Sequence, residues 1–351
     1  MTAKIRMTMM FAAAAALLMV FSCETQSGFP TFNGDITVGT MMKYIGNPVF
    51  KVGESTSFDS YDVYGPSVVQ TADKKIRMFY SATDFSGNMT IGVAESSDGF
   101  IWARIGKGPV LTPTIGKFDE GGVKDPSMLF DGKSYWMYYT GLDKSTGIGR
   151  IGLAKSTDGV VFLKQEKPVL EGGGYPAEAN GAYHPTVVVV PQLTDKKFYM
   201  FYTGMDSFNI GSIMMATSKD GVVWEKTGKP VVSRSKLEPE KDPAFDSYSV
   251  FGPSAMITTS AEGRHLFRIW YSGFLDEKSS SHVGLAGSDL AVGTPPGSVT
   301  DKYYMNPVLQ YAVNPSSIQY NNNLYMFFND LTDIYSKGIS LATRNELPPP
   351  K

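Results

Sequence analysis

The chain has 351 residues, 42% of them hydrophobic and 13% aromatic, with 36 glycines and 21 prolines. Its 34 acidic and 32 basic side chains leave a formal charge of -2, so the chain lacks the basic field that nucleic acid requires. Low-complexity tracts and charge blocks are absent, and the abundance of aromatics and turn formers fits many short strands in a compact β protein.

At the N-terminus, Lys4 and Arg6 precede an apolar stretch, Met7 to Phe21, that is too short for a comfortable membrane span and runs into "VFSC". Residues 1–22 read as an export signal. The segment resembles a bacterial lipobox, with Val20 at the aliphatic position, Ser22 at the small one and Cys23, the single cysteine, as the lipidated first residue of the mature protein. An ordinary cleaved signal is the alternative. The first reading puts the protein on the bacterial cell envelope, attached to the outer membrane through lipid alone. A lone thiol cannot form an internal disulfide, so the fold is expected to stand without one. Residues 23–34 form a polar tether and 35–351 a single domain.

The segment Asp35 to Phe50, "DITVGTMMKYIGNPVF", has the character of a last strand with no first strands before it. Next comes "FDSYDVYGPSVV", beginning at Phe58, a phrase that returns as "FDEGGVKDPSM" at Phe118 and "FDSYSVFGPSAM" at Phe245. Looser copies are "NGAYHPTVV" at Asn180 and "YAVNPSSI" at Tyr311. All five share a proline followed by Ser or Thr: Pro66, Pro126, Pro185, Pro253 and Pro315, separated by 60, 59, 68 and 62 residues. After each proline comes an aromatic-rich strand ("IRMFYSA", "SYWMYYTG", "KFYMFYTG", "LFRIWYSG", "NLYMFFND") and then a small-residue strand such as "TIGVAESSDG". Trp102, Phe162 and Trp224 anchor a fourth strand, and a "PV" pair precedes each unit, at Pro48, Pro109, Pro168, Pro230 and Pro307.

Five units of four antiparallel strands predict an all-β, five-bladed β-propeller. The last unit stops after its third strand, and the orphan strand at the start complements it. Ile36 to Ile45 is therefore expected to close the ring.

In a propeller, the functional centre lies where the innermost strands converge on the axis. Residues that recur are read as structural, so Asp59, Asp119 and Asp246 of the "FD" phrases are given turn or capping roles. The position before the key proline varies: Gly65, Asp125, His184, Gly252 and Asn314. Asp125 is the only carboxylate there. With Asp62 and Glu178 it makes up the candidate catalytic set, and His184, Asn314, Lys124, Glu120 and Tyr183 are the candidate substrate contacts. The three histidines, 184, 265 and 282, show no ligand spacing, so neither a metal nor another cofactor is expected.

These motifs, over about Asp35 to Asn345, resemble the five-bladed propellers of glycoside hydrolase families 32, 43, 68 and 130. The resemblance implies an enzyme in which one first-blade Asp acts as nucleophile or base, the Asp of a "DP" steadies the transition state, and a Glu elsewhere is the acid. Asp125 in "VKDPS" matches the second role. Gly65 stands at the first position, with Asp62 three residues upstream, and the acid position falls near Tyr183 and His184, with Glu178 displaced. "GGVKDPS" is similar to an "EDPR" region of family 130, but Ser127 replaces the Arg. The implied activity is hydrolysis or phosphorolysis of an oligo- or polysaccharide by a monomer, and the alternative is a surface lipoprotein that binds glycan without cleaving it.

Overall fold

The computed structural model describes residues 39–190, 197–236, 244–259, 265–290, 301–303, 306–332 and 337–344. The expected signal, Cys23 and the tether lie outside them. The described residues form five antiparallel sheets arranged as a five-bladed propeller. From the axis outwards, blade 1 contains Asp62–Gln70, Ile76–Thr83, Met89–Ser96 and Ala103–Arg104. Blade 2 contains Gly122–Phe130, Tyr135–Leu142, Gly149–Ser156 and Leu163–Lys164; blade 3 contains Ala182–Val189, Phe198–Met205, Gly211–Ser218 and Glu225–Lys226. Blade 4 contains Ser249–Thr259, His265–Phe274, His282–Leu290 and Asp301–Lys302. Blade 5 has Ala312–Tyr320, Asn323–Asp330 and Gly338–Thr343, and its outer strand is Met42–Lys43 from the start of the chain.

The ring therefore closes with the N-terminal segment, Met42 opposite Thr343 and Lys43 opposite Ala342. Within the described residues the closing strand is shorter than the expected Ile36 to Ile45, whose first three positions lie outside them. Brevity is common to all five outer strands, each two residues long. After the outer strand the chain turns back, and the residue following each "PV" pairs with the third strand again: Phe50, Leu111, Leu170, Val232 and Leu309. The recurring "PV" marks that return. The outer strand Met42–Lys43 runs antiparallel to Gly338–Thr343, and Gly39 lies beside Arg344 at the end of that third strand.

Each second strand is buried on both faces between neighbouring blades, which is why "MFY", "MYY" and "MFY" read as continuous apolar runs rather than alternating ones. Five hydrophobic clusters fill the five blade interfaces. The aromatic anchors cross those interfaces edge-on: Trp102 meets Phe327 at 5.4 Å, Phe162 meets Phe79 at 5.9 Å and Trp224 meets Tyr138 at 5.8 Å.

At the axis, the Ser or Thr after each key proline accepts a hydrogen bond from the inner strand of the next blade. Met128 N–H donates to Ser67 Oγ, Val187 to Ser127, Ala255 to Thr186, Ser317 to Ser254 and Val68 to Ser316, at 2.9 to 3.2 Å. The circuit of hydroxyls ties every blade to its neighbour. Beyond it, at the end of the axis where the inner strands finish, opens a basin of about 820 Å³ walled by Met128, Val187, Met256 and Ile318.

Candidate functional site

The Pro-Ser/Thr phrase makes the same local distortion in every blade. Each inner strand is bulged against its second strand, between Tyr64 and Ser67, Lys124 and Ser127, Tyr183 and Thr186, Phe251 and Ser254, and Val313 and Ser316. The residue before the proline takes a left-handed conformation: φ is 54° at Gly65, 52° at Asp125, 47° at His184, 58° at Gly252 and 54° at Asn314. Its N–H leaves the ladder and donates to a side chain of the second strand of the preceding blade: Asn329 Oδ1, Ser81 Oγ, Thr140 Oγ1, Thr203 Oγ1 and Ser272 Oγ respectively. Two of the five are glycines, for which this conformation carries no steric cost. At Asp125, His184 and Asn314 it costs free energy, and such strain concentrates where side chains must be aimed.

The five residues and their prolines line a small polar chamber of about 30 Å³ on the axis. Asp125 is only 5% exposed. Its Oδ2 lies 3.5 Å from His184 Nε2 and 3.4 Å from Lys124 Nζ, contacts of ion-pair length, and neither carboxylate oxygen accepts a hydrogen bond of close geometry among the described residues. His184 Nδ1 and Asn314 Oδ1 are likewise buried without partners. A Cβ at Gly65 would stand 3.3 Å from Asp125 Oδ1, and one at Gly252 3.3 Å from Asn314 Oδ1. The glycines leave space for the polar side chains beside them.

Burial would raise the Asp125 carboxyl, but His184, Lys124 and the Thr140 hydroxyl outweigh it and hold it below the usual carboxylate range. Burial lowers His184 to about 4, with Lys124 adding to the effect and Asp125 opposing it. At neutral pH the axis therefore presents a carboxylate beside a neutral imidazole. Above them, burial pushes the half-buried Asp62 carboxyl up, against the Val63 N–H and the charge of Lys337. Tyr64, two residues on, responds to both acids: burial and then the charges of Asp125 and Asp62 raise its phenol far above the ordinary value, so it stays a hydrogen-bond donor. Sequence reasoning missed Tyr64. It occupies the same blade position as the expected Lys124 and Tyr183, two residues before the proline, and that register is the signal that could have found it.

Lys124, Tyr183, His184 and Asn314 are thus brought to the axis with Asp125. Lys124 Nζ sits 6.0 Å from the Tyr183 ring centroid, and His184 meets Phe251 edge-on at 5.7 Å. Glu120 is not brought in: it pairs with Lys144 at 2.7 Å and accepts the Gly116 N–H, on the loop before the inner strand. Glu178 is placed differently again. It is fully buried, accepts the Tyr202 hydroxyl at 2.6 Å and pairs with Lys226. The same constellation holds Asp59 (Tyr80, Arg104), Asp119 (Tyr139, Lys164) and Asp246 (Tyr271, Lys302). So Glu178 is not an unrepeated acid but the third-blade form of a repeated one. The "FD" carboxylates, expected to cap turns, bridge a second-strand tyrosine to an outer-strand cation. Among the described residues no three His, Cys, Asp or Glu side chains converge as a metal-ligand set would.

No family model matches the chain. It is 28% identical over 163 residues to the 1,2-beta-oligomannan phosphorylase of Thermoanaerobacter sp. (strain X514), a match covering 44% of this chain and 52% of that enzyme. The aligned stretch thus spans about half the length of that relative. Among solved structures, one described as a glycoside hydrolase superposes with a TM-score of 0.66 at 18% identity, covering 89% of this chain and 94% of the other. Another comes from work on glycoside hydrolases within the family 130 mannoside phosphorylases that target beta-1,2 mannosidic linkages in Candida mannan; its TM-score is 0.62 at 20% identity, covering 92% and 96%. The chain has the five-bladed propeller fold found in glycoside hydrolases, family 130 among them.

Proposed function

We propose that the chain acts on an oligo- or polysaccharide held over the axial ring, by hydrolysis or phosphorolysis of a glycosidic bond. The observation that carries this reading is Asp125: a buried carboxylate beside Lys124 and His184 with no close hydrogen bond to either oxygen, facing the axis from a strained backbone. Glycoside chemistry requires one carboxyl protonated at the leaving oxygen and one ionised near the anomeric centre. Asp62 and Asp125 are pushed in those opposite directions. Asp62 takes the role of acid and Asp125 that of the ionised partner; Lys124, His184, Asn314 and Tyr183 orient the sugar. A second reading, binding without cleavage, is favoured by the confinement of Glu178, which removes one of three expected catalytic carboxylates.

The test is turnover by the purified protein on aryl glycosides and oligosaccharides, with and without phosphate, beside a glycan array. Asp125→Asn should lower turnover at least about 100-fold, because an amide supplies no charge to an oxocarbenium-like transition state. Binding that Asp125→Asn weakens by about 1 to 3 kcal/mol, with no turnover, selects the second reading. Binding and turnover indifferent to Asp125→Asn overturn both.

We also place the protein on the cell envelope as a monomer attached through Cys23. Cys23→Ala should move it from the membrane fraction to the soluble one with its Tm unchanged, and unaltered membrane association would remove the lipid anchor from this account.

A further inference from the structure

Beside the axial ring, between blades 5 and 1, lies a second cavity of about 410 Å³ that includes Lys51, Ser60, Tyr61, Phe85 and Lys337 in its lining. Lys51 pairs across strands with Gly338, the neighbour of Lys337, and both lysines line the one cavity. Neighbouring cations are neutralised, Lys43 by Asp330 and Arg104 by Asp59. Lys51 and Lys337 have no ion-pair partner among the described residues. The Lys337 charge is felt by the half-buried Asp62 carboxyl without an ion pair between them. Among the described residues the cavity therefore holds two ammonium groups outside any ion pair.

Its wall is aromatic and exposed. Phe85 is 69% and Tyr61 47% exposed, and they meet edge-on at 5.7 Å. Lys337 Nζ sits 3.2 Å from the Tyr61 ring centroid. Phe85 is displayed by a tight hairpin loop in which Asp84 accepts the N–H groups of Ser86 and Asn88, both at 2.9 Å, and the Asn88 amide at 2.8 Å. An exposed ring on a pre-ordered loop stacks on a sugar face with little entropy to lose.

We propose that this cavity is an outer subsite for an acidic sugar, whose carboxylate or sulfate is taken by Lys51 and Lys337 while its ring stacks on Phe85. The inference deepens the carbohydrate reading above and rests on it. Tyr61 is followed directly by Asp62, and the inner strand carries the chain from there to Gly65 at the axial ring. At strand rise, Tyr61 and Gly65 are about 13 Å apart, so a ligand touching both sites spans more than one sugar.

The test uses oligosaccharides in matched pairs, uronates against their methyl esters and sulfated against desulfated forms, with binding measured by calorimetry at low and high salt. The acidic member of a pair should bind about tenfold more tightly or better, the preference shrinking with salt. The double variant Lys51→Gln/Lys337→Gln should abolish the preference while leaving the neutral member unchanged, and Phe85→Ala should weaken both members. Uronate and sulfate arms distinguish the source of the anion. No preference in any pair, or a preference that the double variant keeps, overturns this subsite and leaves the carbohydrate reading standing. Binding of no glycan, acidic or neutral, overturns the carbohydrate reading together with it. The lysines are surface groups, so an unchanged Tm in the double variant identifies its effect as one on binding.

Discussion

His184 shows what the axial environment does to one side chain. It titrates near 4 in the folded chain against about 6.5 when unfolded. As the pH falls through 6.5 the unfolded chain takes up the proton first, so stability is lost between about pH 6.5 and 4, by up to about 3 kcal/mol. The ionised, lowered Asp125 contributes stability that is present above the ordinary carboxylate range and disappears only in stronger acid. Thermal melts from pH 7.5 to 4.5 should therefore show a falling Tm that His184→Asn flattens; an equally steep fall in the variant would contradict this account. Asp125 and its neighbours were legible in the sequence because they interrupt a repeat. Their geometry was not, since the left-handed conformation depends on hydroxyls such as Ser81 and Thr140 from the preceding blade.

At the scale of the element, the outer strands show how a misreading arises. "PAEANG" does not align with the "FD" phrases, so Glu178 looked unique. Yet the second strands repeat Tyr80, Tyr139, Tyr202 and Tyr271, and the outer strands Arg104, Lys164, Lys226 and Lys302. Four tyrosine-cation pairs call for four carboxylates, and three "FD" phrases leave Glu178 as the fourth. Blade 5 varies the device: Phe328 replaces the tyrosine, and Lys43 lies 5.5 Å from its ring centroid and pairs with Asp330. The two partners in blade 3 differ in exposure, Glu178 at 0% and Lys226 at 22%. Lys226→Met leaves a carboxylate without its cation in the core and should cost about 3 to 5 kcal/mol. Glu178→Gln leaves an ammonium that reaches water and should cost about 1 to 2 kcal/mol. Denaturant melts that rank the two in the reverse order would refute this assignment.

For the whole molecule, closure by the N-terminal strand is the decisive feature. Removing residues through Lys43 strips Met41 from the core between blades 4 and 5, breaks the Lys43–Asp330 pair and bares the edge of Gly338–Thr343. The expected loss is about 3 kcal/mol or more, with faster amide hydrogen exchange concentrated in blade 5; uniform exchange across all five blades would argue against closure at this point. The repeat made this arrangement readable, because an incomplete last unit and an orphan first strand have only each other as partners. The direction of that strand fixes how the molecule is presented. Gly39 to Lys43 enter the outer position of blade 5 from the basin end, where Gly39 lies beside Arg344. The ring of Asp125, the Phe85 loop and the two lysines all lie at the opposite end, like the rim of a cup that rests on the basin, so one face of the molecule gathers them and a long chain laid across that rim meets all three.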